Sequence, residues 1–368
     1  GPPAPGRSYL HIPSVISAAT MTGCDAIHPG YGFLSENPYI AEICEAVDIA
    51  FIGPGVEAIQ AMANKVEARK VMRDAGLPII PGTEEPLLNT EHAFAAAEEI
   101  GYPMLMKAAG GGGGRGMRIV NSADELVEAY NMARSEASLA FNNPDVYLER
   151  YLRRPRHIEV QVLADKYGNV VHLGTRDCSL QRRHQKILEE APAPGLPQSL
   201  LDRIGDAAVL GTRQIRYHTV GTFEFLLDDT GEFFFIEMNT RIQGEHGISE
   251  LVTGIDLVKW QIRTAAGEEL TMKQEDIVLR GHAIECRVNA EDVSKNFQPG
   301  GGLIELYLPP GGPGVRVDSH LYSGYTAPSN YDSLLAKLMT WGTDRDEAIA
   351  RMRRALHECT IVGPPTTL

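Results

Sequence analysis

The spacing of hydrophobic positions changes along the chain, and the change predicts the order of its elements. Between Val56 and Ala75 the apolar residues Ile59, Met62 and Val66 recur at helical spacing, with Gly76 and Pro78 as stop signals. Thr90 can cap a second helix carrying Phe94, Ala97 and Ile100, halted by Gly101 and Pro103. Ser122 and Glu125 have capping-box spacing ahead of Leu126, Tyr130 and Ala133, which predicts a third. Between the last two, residues 104–120 read as strand, glycine loop, strand. From His157 the period shortens to two, and strands are predicted over 157–165, 169–174, 221–229 and 232–239. This is a mixed α/β chain with an antiparallel sheet at its centre.

Composition narrows the function classes. A chain of 368 residues accommodates two or three domains, and 43% hydrophobic with 22% charged residues is a globular balance. The net charge of −14 excludes a broad basic face for nucleic acid, while a small phosphate ligand still fits a local basic pocket. No apolar run reaches the roughly 18 residues of a membrane span. Cys24, Cys44, Cys178, Cys286 and Cys359 have no metal-ligand or redox spacing, which suits a reducing compartment. The chain opens on Gly1 in a proline-rich stretch, from which a cut inside a larger protein is expected.

Three features carry chemistry. Gly110–Gly114 expose backbone N–H groups suited to wrapping phosphates. The strand after them, Met117–Val120, excludes both a P-loop and a dinucleotide fingerprint, each of which needs a helix there. A hairpin turning at Thr230-Gly231 would place Glu224 opposite Glu237. Phe223, Phe225 and Leu227 would then share the core face with Phe234, Ile236 and Met238. Two carboxylates across a ladder need positive charge between them, which Mg²⁺ or Mn²⁺ shared with substrate phosphates would supply. If the chain stays extended, Glu237, Asn239, Arg241, Gln243 and Glu245 form one polar line, with Arg241 as an anion fork and Glu245 as a base. Upstream, Arg176, Arg182, Arg183, His184 and Lys186 concentrate positive charge for phosphate and anion.

Seven segments together resemble the biotin carboxylase component of biotin-dependent carboxylases, in the ATP-grasp superfamily. They are HPGYGFLSEN (28–37), KAAGGGGGRGMR (107–118), QRRHQK (181–186), EEAPAP (189–194), FIEMNTRIQ (235–243), GHAIECRVNAED (281–292) and YDSLLAKL (331–338). KYGNVVHLG and QEDIVLRGHAIECR look like the cyanobacterial and plastid type, whose partner enzyme is acetyl-CoA carboxylase. The resemblance implies an α/β (α+β) ATP-grasp fold in four parts. These are a partial Rossmann-like domain (1–79), a glycine-rich lid (80–151), the ATP-grasp core (152–280) and a truncated biotin carboxylase C-terminal domain (281–368).

It further implies that Lys65, Lys107, Gly113, Gly114, Glu149, Arg150, Tyr151, Leu152, His157, Gln181, His184, Glu224 and Glu237 bind ATP. Glu224, Glu237 and Asn239 would hold two Mg²⁺ or Mn²⁺ ions. Lys186, Arg241 and Gly244 would bind bicarbonate, and Tyr31, Gly32 and Arg287 biotin. Glu245 would deprotonate bicarbonate for attack on the γ-phosphate, giving carboxyphosphate, and Arg287 would stabilise the biotin enolate that captures CO₂. Implied partners are a biotin carboxyl carrier protein, carboxyltransferase subunits and a second copy of the chain, in bacterial cytosol or plastid stroma. A different ATP-grasp ligase, the biotin carboxylase of a pyruvate or propionyl-CoA carboxylase, and a non-catalytic module of a carboxylase complex are the alternatives. The family usually reads RIQVEHPVTE where residues 241–250 read RIQGEHGISE, and usually has Glu at Thr175. Around Arg216 its GYxGxGT motif is only partly kept.

Overall fold

Caps set where the predicted elements begin and end. A computed structural model describes residues 2–108, 117–141 and 143–368. Helices α1 (Ile12–Met21) and α2 (Pro38–Ala46) pack beside a short parallel pair, β1 (Ala26–Ile27) with β2 (Ala50–Phe51). The single helix expected next is two, α3 (Val56–Ala63) and α4 (Lys65–Asp74). Asn64 leaves helical geometry, and its side-chain oxygen accepts from the amides of Val66 and Glu67, so one helix ends where the next is capped. Lys65 and Arg69 thereby stand one turn apart on α4.

Helix α5 (Thr90–Ile100) is capped by Asn89 and not by Thr90: the Asn89 oxygen accepts from the His92 amide. It buries Ala93, Ala96 and Ala97 and leaves Phe94 exposed. Strands β3 (Met104–Ala108) and β4 (Met117–Val120) pair antiparallel, as the strand–loop–strand reading required. The connecting residues 109–116, Gly113 and Gly114 among them, lie outside the described residues. Helix α6 (Ala123–Phe141) starts where expected, but the Glu125 carboxylate accepts from Asn121 N–H, not from Ser122. Strand β5 (Val146–Arg150) completes a three-stranded sheet with β3 and β4.

The central sheet has eight strands, all paired antiparallel. Its order begins β10 (Phe233–Asn239), β9 (Thr219–Leu227), β6 (Arg156–Ala164), β7 (Val170–Arg182), β8 (Gln185–Ala191), β11 (His282–Asn289). Strands Leu334–Gly342 and Val315–Ser319 follow at the far edge. Helix α7 (Gln198–Gln214) packs across β7 and β6 and lays Leu200, Ile204 and Ala208 into a core with Phe223, Phe225, Phe233 and Phe235. Helix α8 (His246–Thr253) packs Ile248 and Val252 against Ala283 and Met339, and α9 (Leu257–Ala265) buries Leu257 and Trp260 beside β9. Helix α10 (Arg345–Glu358) covers the last strands with Ala348 and Met352.

The β9–β10 hairpin pairs Glu224 with Glu237, by a route the sequence did not reveal. Its loop is Asp229-Thr230-Gly231, closed by Asp228 with Glu232, and Gly231 takes the positive φ of 87° that such a turn needs. That longer loop shifts the register, so Phe233 faces Leu227 and Phe235 faces Phe225. A bulge at Ile236 restores the pairing of Glu237 with Glu224. The expected core face on β10 therefore holds at Met238 but is wrong at Phe234 and Ile236. Phe233 and Phe235 join the main core, while Phe234 and Ile236 turn to the opposite side with Ile80, Leu152 and Leu226.

Candidate active site

Side-chain periodicity puts one row of charge on the polar face of the sheet. Across β7, β6, β9 and β10, Arg176 pairs with Glu159, Glu159 with Glu224, and Glu224 with Glu237. Like charges opposite one another destabilise a sheet. Here three glutamates in line are balanced from every side.

Arg176 is wholly buried and anchors the row. Its guanidinium donates to Glu159 (2.8 and 3.0 Å), Gln161 (2.6 Å), Gln243 (2.7 Å), Ser249 (3.1 Å) and Thr222 (3.2 Å). The basic segment therefore does not act as one patch. Arg176 is sealed off from any ligand, whereas the Lys186 side chain keeps 14% of its surface exposed. The Lys186 ammonium contacts Glu159, Glu224 (3.1 Å) and Glu245 (2.8 Å). Burial disfavours its charge, but these carboxylates override burial and hold its pKa well above the usual value. In return Lys186 overrides the desolvation of Glu224, whose pKa is held down at about 2, and depresses that of Glu245. Glu245 is thus ionised, the form a proton acceptor needs.

His157 lies 2.8 Å from Glu224, at an angle too poor for a hydrogen bond. Burial opposes its charge, but Glu159 and Glu224 outweigh burial and raise its pKa to about 10. Gln181 Nε2 donates to the Cys178 carbonyl (2.8 Å) and meets His157 Nδ1 (3.3 Å). His184 sits exposed in the β7–β8 turn at a φ of 66°. Arg150 lies over the Phe234 ring, Tyr151 N–H donates to the Pro103 carbonyl, and Leu152 is buried.

The strip from Glu237 to Glu245 is not extended. Strand β10 stops at Asn239, and the chain turns so that Glu245 precedes the first residue of α8. The turn still gathers the side chains. Asn239 and Gln243 both donate to Glu224 (2.7 and 2.8 Å), and Arg241 donates to Asn239 (2.9 Å) and Glu36 (3.1 Å). Arg287 donates to Glu245 (2.8 Å) and Glu189 (2.7 Å). Its cross-strand neighbour Lys337 donates to the Gly244 carbonyl at 2.5 Å. Tyr31, in the loop that carries Gly32, opens onto a cavity of about 290 Å³ that His246, Asp318, His320 and Lys337 also line.

A second cationic group stands beside Glu237. Lys65 pairs with Glu237 at 2.9 Å, while Arg69 and Lys107 both pair with the buried Glu149. Burial, then Arg69 and Lys65, push the Lys107 pKa down to about 8. Crowded cations of this kind favour a bound polyanion. The oxygen donors of Glu224, Glu237 and Asn239 are the hard ligands that Mg²⁺ or Mn²⁺ prefers, so the residues present fit such an ion.

Comparison with known proteins agrees along the whole chain. Residues 1–59 match the biotin carboxylase N-terminal domain, 64–273 the ATP-binding domain of the carbamoyl-phosphate synthase L chain, and 285–368 the biotin carboxylase C-terminal domain. This chain belongs to the biotin carboxylase family. It is thereby an ATP-dependent ligase of the ATP-grasp type. It is 56% identical to the biotin carboxylase of Nostoc sp., covering 100% of this chain and 82% of that one. It is also 56% identical to the chloroplastic biotin carboxylase of Arabidopsis thaliana, covering 98% and 67%. Among solved structures, a biotin carboxylase–β,γ-ATP complex from Campylobacter jejuni has a TM-score of 0.92 at 51% identity, covering 98% and 80%. The biotin carboxylase domain dimer of Hydrogenobacter thermophilus 2-oxoglutarate carboxylase, with MgADP, ADP and bicarbonate, has a TM-score of 0.91 at 49% identity, covering 98% and 79%. Relatives thus serve different parent carboxylases, and the family alone does not fix this one's. No helix among the described residues is long and apolar enough to cross a membrane.

Sequence reasoning missed Glu159, Arg69, Glu36, Glu189, Glu285 and Lys337. Glu159 was within reach: His157, Glu159 and Gln161 alternate with Ile158, Val160 and Val162, the same pattern that singled out Glu224. The others come together only through long-range pairing.

Proposed function

We propose that the protein carboxylates biotin on a biotin carboxyl carrier protein, using ATP and bicarbonate, as the first half-reaction of acetyl-CoA carboxylase. The observation that carries this reading is the convergence of Lys186, Glu245 and Arg287, with Lys186 also reaching Glu224. Lys186 and Arg241, with the Gly244 N–H, hold the bicarbonate. Glu245, already ionised, takes its proton, and the freed oxygen attacks the γ-phosphate to give carboxyphosphate and ADP. Lys65, Arg69 and Lys107 balance phosphate charge, beside the adenine-nucleotide residues Glu149 to Leu152, His157, Gln181 and His184 and the Gly113-Gly114 loop. Mg²⁺ or Mn²⁺ held by Glu224, Glu237 and Asn239 would neutralise charge on the transferring phosphoryl group. Carboxyphosphate then yields CO₂ and phosphate, the phosphate takes the biotin N1 proton, and Arg287 stabilises the enolate, with Tyr31 and Gly32 seating the ring.

In this reading residues 1–79, 80–151, 152–280 and 281–368 are the four structural parts. The protein works as a homodimer with carboxyltransferase subunits, in cytosol or plastid stroma. The test is ADP release that requires bicarbonate and is stimulated by free biotin. A folded sample showing neither refutes the activity.

A further inference from the structure

Glu189 on β8 and Glu285 on β11 stand directly opposite each other in the ladder, both with no solvent exposure. Glu189 spends one oxygen on Arg287 Nε, at 2.7 Å. Among the described residues, its other oxygen and both oxygens of Glu285 meet no hydrogen-bond partner. Three orphaned carboxylate oxygens inside one cross-strand pair are far costlier than ordinary buried polar atoms, because full charge is involved. The nearest cations do not resolve it. Arg287 Nε is 4.0 Å from Glu285, and Lys337 is spent on the Gly244 carbonyl and on Asp318 at 3.4 Å.

One proton removes the conflict. A carboxylic acid donating to a carboxylate satisfies two of the orphans at once and leaves the pair with a single negative charge to meet Arg287. We propose that Glu189 and Glu285 share one proton as a buried acid–carboxylate pair, and that this pair positions Arg287 against Glu245. The charged and titratable groups around it come from every neighbouring element. They are Arg287 and Cys286 on β11, Lys186 on β8, Cys178 on β7 and Glu159 on β6. Lys337 lies on the neighbouring strand Leu334–Gly342, Asp318 on the edge strand Val315–Ser319, and Glu245 and His246 at the start of α8. Burial followed by mutual repulsion with Glu285 raises the pKa of Glu189. Burial raises that of Glu285 to about 7, against opposing pulls from Lys337 and Arg287. The pair titrates as a unit. Once its last shared proton leaves, two negative charges flank Arg287 and compete with Glu245 for it.

The role assigned to Arg287 rests on the proposed function, whereas the shared proton does not, and the experiment separates the two. Infrared pH-difference spectra of the purified protein should show a buried carboxylic-acid C=O at pH 6 that fades as the pair titrates. Glu285→Gln should abolish that band, because Glu189 then pairs as a plain carboxylate with Arg287. A folded wild type without the band, or a band that survives in both Glu285→Gln and Glu189→Gln, overturns the shared proton. In biotin-stimulated ADP release, Glu285→Ala should lower kcat/KM for biotin by about ten- to a hundredfold, the range for a lost buried charge-assisted bond. Glu285→Gln carries its hydrogens permanently, so it should restore kcat/KM and flatten the alkaline limb of the pH profile. A purely structural role would leave that limb in place in Glu285→Gln, and that result overturns the positioning role. A wild type without biotin-stimulated turnover refutes the proposed function, and the infrared spectra still decide the proton.

Discussion

Thr219 is expected to be a residue whose removal stabilises the protein. It opens β9 at a φ of 82°, and three residues earlier Arg216 sits at 48°, both in the left-handed region. These are two positions where the GYxGxGT motif has glycine and this chain does not. For a β-branched side chain that conformation is a genuine outlier, costing about 1–2 kcal/mol. Thr219 is also 2% exposed, and its hydroxyl meets no hydrogen-bond partner among the described residues. Leaving a buried hydroxyl unpaired costs a further ~1–3 kcal/mol. Against this, glycine adds about 0.5–1 kcal/mol of chain entropy to be lost, and the missing methyl about 0.8 kcal/mol of burial. The balance is a gain of about 2 kcal/mol for Thr219→Gly. Urea unfolding should show a higher midpoint at unchanged m-value. Thr219→Ala separates the two causes, since it removes the hydroxyl but keeps the backbone penalty, and so should gain less than glycine. A Thr219→Gly protein less stable than wild type refutes the reasoning.

Arg176→Met should be severely destabilising, by about 3–5 kcal/mol, because it leaves the buried Oε2 of Glu159 without its partner, Lys186 holding only Oε1, and frees Gln161 and Gln243. Adding Glu159→Gln should recover part of the loss, as a double-mutant cycle would read. Glu245→Gln should cut bicarbonate-dependent ADP release by about 10²–10⁴-fold, the contribution of a positioned base, while a fluorescent ATP analogue still binds. At low pH the Glu190 cluster should contribute to unfolding, alongside Glu224 and Glu159. Burial works to raise the Glu190 pKa, but His282 and Arg345 override it and hold it at about 2. Its stabilisation is therefore present above the unfolded value near 4.5 and lost as pH falls through about 2. Glu190→Gln should flatten that loss, worth about 1–2 kcal/mol after screening of the half-exposed Arg345, in acid titrations followed by circular dichroism.

Much of this architecture was legible because periodicity is local. The four predicted strands and the helices after Thr90 and Ser122 follow from spacing. Asn64 and Asn89 show what spacing alone does not resolve: a side chain one residue away took over the cap, and at Asn64 it split a helix. The bulge at Ile236 is the sharper case. It corrects a register that the turn had shifted, so the glutamate pairing held while the facing of Phe234 and Ile236 reversed. At the site, Glu224 was visible as a polar residue in an apolar strand, Lys186 as a member of the basic segment, and Glu245 as the end of a polar line. Arg176 read as one more cation for phosphate and anion, because nothing in RDCSLQRRHQK says which arginine is buried. Glu189 and Glu285 are 96 positions apart, and only the β8–β11 ladder joins them.

That ladder also bears on how such a chain can be divided. The two matched segments end at residue 273 and begin again at 285, a natural place to draw a border. Yet Leu188 to Ala191 pair with Ala283 to Cys286 across it, so the last strands continue a sheet begun more than a hundred residues earlier. The C-terminal segment is thus a piece of a shared lamina and not an exchangeable cartridge. Recombination that swapped it for a distant relative's would have to match a strand edge, a buried acid pair and Arg287 together. A break in the peptide chain near Lys273 would disturb far less than such a swap, since backbone hydrogen bonds already hold the halves together.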